Sequence, residues 1–354
     1  MKHKKLLWAA LALVVIGALV YVQYRSLGSI STEITKRNHG QPWSWKRDFF
    51  EVIAHCSKLY LIAGLAFIYV GYVLRAWRWQ IFLSKVKRVA LAPLIPPQYI
   101  GFTGMVLLGR PGELIRPYLI ARRTGVDFTT QIAVLVLERI FDMGAFALIV
   151  ALNIAFAPSL RNIPHYTAFR KGSYLLLLGV AVLASAMYLL YKHGPRVVAW
   201  CCSSVSRKVS EKLDSFSRGL HILSGTREVL AAGTVSIVTW LTIAGCYLMT
   251  VRAFGTAELN SLHLPQVLLL MFFSVAGGVI QLPGIGGGAQ VATIGALSLV
   301  FNVPLGAAAA GGILIWLMTS VSVVVPGFAF AHSEHVSLRA VSRASEEEPE
   351  VTTQ

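Results

Sequence analysis

The residues best suited to chemistry are ionisable side chains inside an otherwise apolar stretch, residues 131–156. Glu138 and Asp142 are four residues apart, which places them on one helix face, and Arg139 is three residues from Asp142. A charged side chain at membrane depth costs about 2.5–3.5 kcal/mol, so such groups usually serve a purpose. The set predicts either a local ion pair that lets the helix insert, or a polar site for an anionic headgroup or for coupled protons.

A second set surrounds a Gly-Pro-Gly break at residues 109–112 and contains Arg110, Glu113 and Arg116. Arginine presents a planar fork of donors that suits phosphate. Backbone N–H groups that are freed at such a break can add further donors. The pattern predicts a phosphate cradle in which Glu113 pairs with an arginine or holds a proton. A hairpin tip anchored at the membrane interface is the alternative.

A third set is rich in glycine and uncharged amides and lies between residues 281 and 290. Glycine lets a backbone approach a ligand closely, and it also allows tight contact between helices, so both interpretations stay open. The candidate binding residues of this set are Gln281, Pro283, Gly284, Gly286, Gly287 and Gln290.

Motifs for catalysis, metals and cofactors are absent from the sequence. There is no P-loop, no nucleophile elbow and no metalloprotease helix, and the four cysteines form no C-x-x-C pair. We therefore expect unpaired thiols packed among helices, no metal, no cofactor and no enzymatic activity.

The composition is that of a polytopic helical membrane protein. Of 354 residues, 55% are hydrophobic and only 14% are charged, against about 25% in soluble domains. The mean hydropathy of +0.64 agrees. This excludes an ordinary soluble enzyme, a disordered chain and a disulfide scaffold. The net charge of +16 lies mostly between apolar runs, which specifies membrane orientation and argues against a nucleic-acid partner.

The apolar runs predict an all-α fold with about six full spans. An N-terminal anchor helix and interfacial segment occupy 1–50, a transmembrane domain occupies 51–330, and a polar, disordered cytoplasmic tail occupies 331–354. A basic loop is predicted at 192–227. The predicted spans are 6–24, 59–83, 131–156, 173–191, 228–251 and 307–330.

Two further stretches, 91–123 and 264–303, each consist of two half-length apolar runs around a Pro-Gly break. They predict re-entrant hairpins. If both stretches are hairpins, most loop lysines and arginines fall on the cytoplasmic side, as the positive-inside rule requires. Both chain termini are then cytoplasmic as well. Residues 26–58 are the exception, because this basic segment would lie outside. The hairpins then enter from opposite faces, as in an inverted repeat. Paired broken segments of this kind point to a transporter substrate site.

The end of the second span, Leu74-Arg75-Ala76-Trp77-Arg78-Trp79, alternates arginine and tryptophan. Arginines at a span end extend their charged groups to the interface, and tryptophan favours the headgroup level. We therefore interpret these residues mainly as a membrane anchor.

Several motifs resemble the transmembrane region of lysylphosphatidylglycerol synthases, the flippase-like family of the multiple peptide resistance factor. The resemblance covers about 50–330. It rests on residues 74–79, on 109–116 with 119–123, on 136–142, and on Pro283-Gly284 with the glycines that follow. It implies an integral membrane protein that moves or handles lipids across the bacterial inner membrane. Arg110, Glu113, Arg116, Glu138, Arg139 and Asp142 fall on the family's recurrent charged positions.

Two departures from that family suggest a different cargo. Many members carry an Arg-Glu pair where this chain has Ala289 and Gln290, and a frequent arginine of the last span corresponds to Trp316. The full synthases also carry a soluble aminoacyl-transferase domain. The 24 residues after residue 330 leave no room for that domain, so we do not expect lysyl transfer.

Three functional hypotheses follow. The first is a lipid flippase-like transporter in which both hairpins form the site and Arg110, Arg116 and Arg139 hold the phosphate of a phospholipid or lipid-linked substrate. The second is a non-transporting accessory subunit of a glycosyltransferase or lipid-modifying enzyme. The third, ranked last, is a membrane enzyme that uses an acidic side chain. The expected partners are membrane lipids, with a homo-oligomer or a membrane enzyme as further candidates.

Overall fold

The computed structural model describes Gly17, Ser44 and residues 46–203, 225–278 and 287–333; for 186–203 it describes the backbone alone. These ranges are helical and contain no strand, which confirms the predicted all-α class. The helices of nine or more residues are α1 (Lys58–Leu83), α2 (Ile95–Leu108), α3 (Ile115–Thr124), α4 (Phe128–Phe156), α5 (Tyr166–Ser203), α6 (Thr226–Ala253), α7 (Leu264–Gly277), α8 (Gly287–Gly295), α9 (Leu305–Trp316) and α10 (Val324–Ser333).

Four stretches among the described residues are long and apolar enough to cross a membrane. They are Lys58–Leu83, Tyr166–Ser185, Thr226–Ala253 and Leu305–Ser333. The last comprises α9, a π-helical turn at Leu317–Val321 and α10. Helix α4 is also long, with 29 residues, and carries three charged side chains. The chain is therefore a multi-pass membrane protein, and the count of six spans stays a prediction.

The predicted basic loop at 192–227 starts too early. Helix α5 continues to Ser203, well inside that range. The predicted anchor at 6–24, apart from Gly17, and the tail beyond Ser333 lie outside the described residues.

Helices α1 and α6 form an antiparallel pair at the centre of the fold. The Ser57 N–H before α1 donates to the Ala253 carbonyl at the end of α6 (2.8 Å). At the opposite end Lys85 and Glu228 form an ion pair of 2.8 Å. A Cβ on Gly245 would lie only 3.0 Å from the Phe67 ring, so the missing side chain is what allows the close approach.

The first broken stretch is a hairpin. Helix α2 begins with prolines at its first turn, where their missing N–H groups have no intrahelical partner to lose. It ends at Gly109, whose φ of 72° and ψ of −147° suit only glycine. Across the turn, a Cβ on Gly112 would collide with the Gly104 carbonyl group. Arg123 near the end of α3 donates to the Pro93 carbonyl before α2 (2.5 Å), so both arms return to one side.

The second broken stretch folds back in the same way. Helix α7 starts with a capping box between His263 and Gln266. Its last residue, Gly277, packs so closely on the first residues of α8 that a Cβ there would collide with the Gly288 carbonyl group. Helices α7 and α8 therefore lie side by side.

We call α1–α5 the first half of the molecule and α6–α10 the second half. Each half contains one hairpin, and each hairpin packs on a helix of the other half. The first arm of the first hairpin, α2, packs on α10, and Thr103 donates to the carbonyl of Val323, the residue just before α10 (3.1 Å). The first arm of the second hairpin, α7, packs on α4, where Asn153 donates to the Pro265 carbonyl (2.8 Å). With the antiparallel α1–α6 pair, this is the arrangement expected of an inverted repeat.

Candidate functional site

Helix α1 contributes two buried arginines to the interior of the first half. Arg75 and Arg78 are three residues apart and lie on the helix face that meets α4, with 9% and 0% exposure. Their interpretation as a membrane anchor is therefore wrong. The sequence signal that could have identified them is spacing. Arg75 and Arg78 are three residues apart and Glu138 and Asp142 four apart, so each pair lies on one face of its helix, and the two faces can meet.

Arg78 is the best-connected cation of the site. It donates to Glu138 Oε1 (2.8 Å), to Asp142 Oδ1 (2.6 Å) and to Ser236 Oγ on α6 (2.7 Å). Arg75 lies beside it, 3.3 Å from Glu138 Oε1 and 3.2 Å from Asp142 Oδ2. These contacts join α1, α4 and α6, and they give both carboxylates on α4 a cationic partner.

Arg116 enters the same cluster from the second arm of the hairpin. Its Nη1 lies 2.9 Å from Glu138 Oε2 and donates to Gln98 Oε1 at 3.0 Å. Its guanidinium also stacks between two aromatic rings, 4.8 Å from the Trp79 centroid and 5.0 Å from that of Phe102. Arg116 is only 2% exposed. Nη1 thus bonds to protein groups and the side chain is enclosed, so its expected place in an open phosphate cradle is not supported.

Trp79 is a structural residue and not part of an aromatic belt. It is 1% exposed, and its indole N–H donates to Gln131 Oε1 on α4 (2.8 Å). Trp77, on another face of α1, is 46% exposed. Of the two tryptophans, therefore, only Trp77 has the exposure of a residue that faces lipid.

Arg139 forms the open edge of the cluster. Its side chain is 39% exposed, and it forms an ion pair with Glu113 at the hairpin turn. The predicted partner, Asp142, is 4.0 Å away and has a shorter contact with Arg78. The structure thus brings together five of the predicted site residues, namely Glu113, Arg116, Glu138, Arg139 and Asp142.

The ion-paired cluster carries a surplus positive charge. Four guanidinium groups face three carboxylates among the described residues: Arg75, Arg78, Arg116 and Arg139 against Glu113, Glu138 and Asp142. The buried members, three arginines and two carboxylates, keep one surplus positive charge, whereas the more exposed Arg139 and Glu113 form a one-to-one pair. The cluster as a whole is therefore cationic, and Arg139 is its most exposed cation.

The remaining candidates do not join this cluster. Arg110 is exposed at the start of the hairpin turn. Gln290 lines a separate cavity of about 370 Å³ between α6, α7, α8 and α9, and none of the residues lining it is charged. Gly287 lies at the start of α8. Gln281, Pro283, Gly284 and Gly286 lie outside the described residues. The expectation of one site shared by both hairpins is therefore not met by the described part of the chain.

An apolar groove adjoins the cluster on the other side of α4. It encloses about 410 Å³ between α4, α5 and α6. Ile140 and Phe141, the residues directly after Arg139, form part of its wall, and the rest is nearly all apolar. Arg139 does not itself line the groove but directly precedes this wall along α4.

Metal binding finds no support in the described ranges, where no three His, Cys, Asp or Glu side chains group together. Cys56 and Cys246 are free and buried.

One family model matches most of the chain. The family is described as the lysylphosphatidylglycerol synthase TM region, and it matches residues 43–327. The resemblance drawn from the motifs is thereby confirmed, and it identifies a membrane protein related to lipid handling. No curated protein matches the chain. No solved structure matches it either.

Proposed function

We propose that this chain, which belongs to the lysylphosphatidylglycerol synthase TM region family, is a flippase that moves a lipid with an anionic phosphate headgroup across the bacterial inner membrane. The observation that carries the proposal is the net positive charge of the ion-paired cluster, whose most exposed cation is Arg139. A phosphate at Arg139 would find a guanidinium that is already oriented by Glu113 and backed by three buried arginines.

The neighbouring groove supports a lipid as the ligand. A phospholipid needs a polar site for the headgroup next to an apolar surface for its chains. Arg139 provides the polar group on one face of α4, and Ile140 and Phe141, the next residues, provide apolar wall on an adjoining face. A water-soluble phosphate compound would gain nothing from that wall.

The inverted packing supports movement across the membrane. In transporters, sites at broken helices of an inverted repeat are exposed alternately when one repeat moves against the other. Here α1 and α6 are antiparallel, and each hairpin packs on a helix of the other half. Such an arrangement can present similar surfaces to the two leaflets in turn.

A transport role fits the acidic residues better than catalysis does. Glu138 and Asp142 are 1% and 4% exposed and are held by arginines. Carboxylates that are buried and whose oxygens already contact arginines are poorly placed to act on a substrate. The proposal therefore includes no enzymatic step. The charge distribution between the apolar runs favours a cytoplasmic location for both termini.

The test is lipid movement by the purified full chain in vesicles of phosphatidylcholine with a trace of fluorescent phosphatidylglycerol. Dithionite bleaches only outer-leaflet label, so a flippase makes the inner label accessible. We expect movement above protein-free vesicles, and Arg139→Gln should slow it about tenfold or more, because a charge-assisted hydrogen bond is lost.

Arg139→Lys should restore part of the rate, and Arg122→Gln, at an exposed arginine of α3, should leave it unchanged. No movement by correctly folded protein would overturn the proposed function. Movement that is normal in Arg139→Gln would overturn only the assignment of the site.

A further inference from the structure

A second polar site lies in the other half of the molecule. The cavity of about 370 Å³ lies between α6, α7, α8 and α9, and its wall includes the indole of Trp316. Its polar lining residues, all uncharged, are Tyr247, Ser274, Gln290, Thr293, Thr319 and Ser320. A polar cavity of this size at membrane depth calls for an occupant that can form hydrogen bonds.

Gln290 provides an unused donor. The residue is only 5% exposed, and its Nε2 has no hydrogen-bond partner among the described residues. A buried amide N–H without an acceptor is unfavourable, and such groups are usually satisfied by a ligand or by water. Because Gln290 lines the cavity, a bound group that accepts a hydrogen bond would satisfy it there.

The hydroxyl groups provide acceptors. Thr293 donates its proton to the Ala289 carbonyl (2.7 Å), and Thr319 donates to the Ile315 carbonyl (2.8 Å). A hydroxyl oxygen that has donated its proton can still accept a hydrogen bond. Tyr247 likewise donates to Ser274 (2.8 Å). The lining therefore combines an amide donor with several acceptors and offers no counter-charge.

We infer that this cavity binds an uncharged headgroup with several hydroxyl groups, such as a sugar or a glycerol. A hydroxyl both donates and accepts, which matches this lining. A cationic or anionic headgroup would lose its hydration there without gaining an ion pair. The flat ring of Trp316 can cover the apolar face of a sugar. The inference rests on the proposed function only in taking a lipid as the ligand.

The experiment is equilibrium binding, which does not depend on lipid movement. The purified full chain is mixed with four dioleoyl lipids of matched chains, and bound lipid is measured by native mass spectrometry. The headgroups are glucose, no headgroup (diacylglycerol), phosphoglycerol and trimethylammonium. We expect the glucosyl lipid to bind several-fold better than diacylglycerol or the cationic lipid. Phosphatidylglycerol, whose phosphate finds no counter-charge in this cavity, should compete only weakly with the glucosyl lipid, and equal competition would overturn the inference.

Two variants test the lining. Gln290→Leu and Thr293→Val should each weaken binding of the glucosyl lipid about three- to tenfold, as expected for one lost hydrogen bond. The matched control is Thr250→Val. Thr250 is as buried as Thr293 and donates to its own helix over the same 2.7 Å, but it does not line the cavity.

Binding of the glucosyl lipid by Thr250→Val should equal that of the wild type. If Gln290→Leu does not fold, Thr293→Val still decides the matter. Preference for the cationic lipid, or wild-type affinity in folded Thr293→Val, would overturn the inference. If lipid movement fails but selective binding persists, only the flippase proposal falls.

Discussion

The two halves of this protein build sites of opposite character from equivalent helices. In the first half, α1, α3 and α4 surround buried arginines and carboxylates that form ion pairs. In the second half, the corresponding α6, α8 and α9, together with α7, surround a cavity of about 370 Å³ lined by hydroxyls and an amide. The same helix packing thus encloses an ion-paired interior in one repeat and an uncharged cavity in the other.

The difference shows how side chains divide the tasks between repeats. The long guanidinium groups of Arg75, Arg78 and Arg116 fill the first interior and hold its hairpin to α4 through Glu138. The shorter side chains of the second half cannot reach across, so space remains. The first half is therefore expected to be the rigid one, with ligand contact at its edge, and the second to admit a ligand inside.

The largest effect is expected from removing one buried cation. Arg78→Leu leaves Glu138 and Asp142 with fewer partners in a dry interior, where breaking a buried pair costs about 3–5 kcal/mol. We expect a large drop in the thermal unfolding temperature of the detergent-solubilised protein. Arg122→Leu, at an exposed arginine, is the control and should have little effect. Near-normal stability of Arg78→Leu would mean that the cluster is not the rigid element of the pair.

The next effect concerns a feature that both halves share, a close backbone contact at a glycine of each hairpin. A Cβ at Gly112 would meet the Gly104 backbone, and one at Gly277 would meet the Gly288 backbone. Because backbone cannot move aside cheaply, each change to alanine should cost about 1–3 kcal/mol in the free energy of unfolding. Gly295→Ala is the matched helical control, with nothing within 4 Å of the added Cβ. If only one of the two contacts is sensitive, the hairpins are not equivalent.

Much of this fold follows from sequence patterns. Continuous apolar runs predicted α1, α4, α6 and the last span to within a few residues, because length and hydropathy alone decide membrane insertion. The Pro-Gly breaks predicted both hairpins, since neither arm is long enough to cross. The extent of α5 was missed because basic residues, which read as loop, continue a helix beyond 192.

The site was predicted only in part. The charges on α4 stood out against an apolar background, whereas Arg75 and Arg78 lay at a span end, where arginine usually reaches the interface. Only the tertiary contact with Glu138 and Asp142 shows that these arginines lie in the protein interior and not at the membrane interface. The cavity around Gln290 was beyond prediction for the same reason, because empty space depends on how four helices meet.

A smaller effect should separate direct from indirect support of the cluster. Ser236 and Thr239 on α6 each donate to their own helix over 2.7 Å, but only Ser236 also accepts from Arg78. Ser236→Ala removes an acceptor from a buried charged donor and should cost about 1–3 kcal/mol of stability. Thr239→Val should cost less. The free energy of unfolding of both variants is measured by chemical denaturation in the same detergent. Equal losses would show that the link from α6 to the cluster contributes nothing.

The smallest effect on stability is expected at the open edge of the cluster. Glu113 and Arg139 have side chains 28% and 39% exposed, so their ion pair should contribute at most about 1 kcal/mol. Glu113→Gln should leave thermal unfolding nearly unchanged. It also releases the guanidinium and raises the local surplus of positive charge, so binding of phosphatidylglycerol at low salt should become tighter and more salt-dependent. Glu258→Gln, at an exposed glutamate of the second half, should change neither property. If Glu113→Gln destabilises the protein as much as Arg78→Leu does, the edge is as rigid as the interior. If Glu113→Gln leaves the affinity for phosphatidylglycerol unchanged, the anion binds elsewhere.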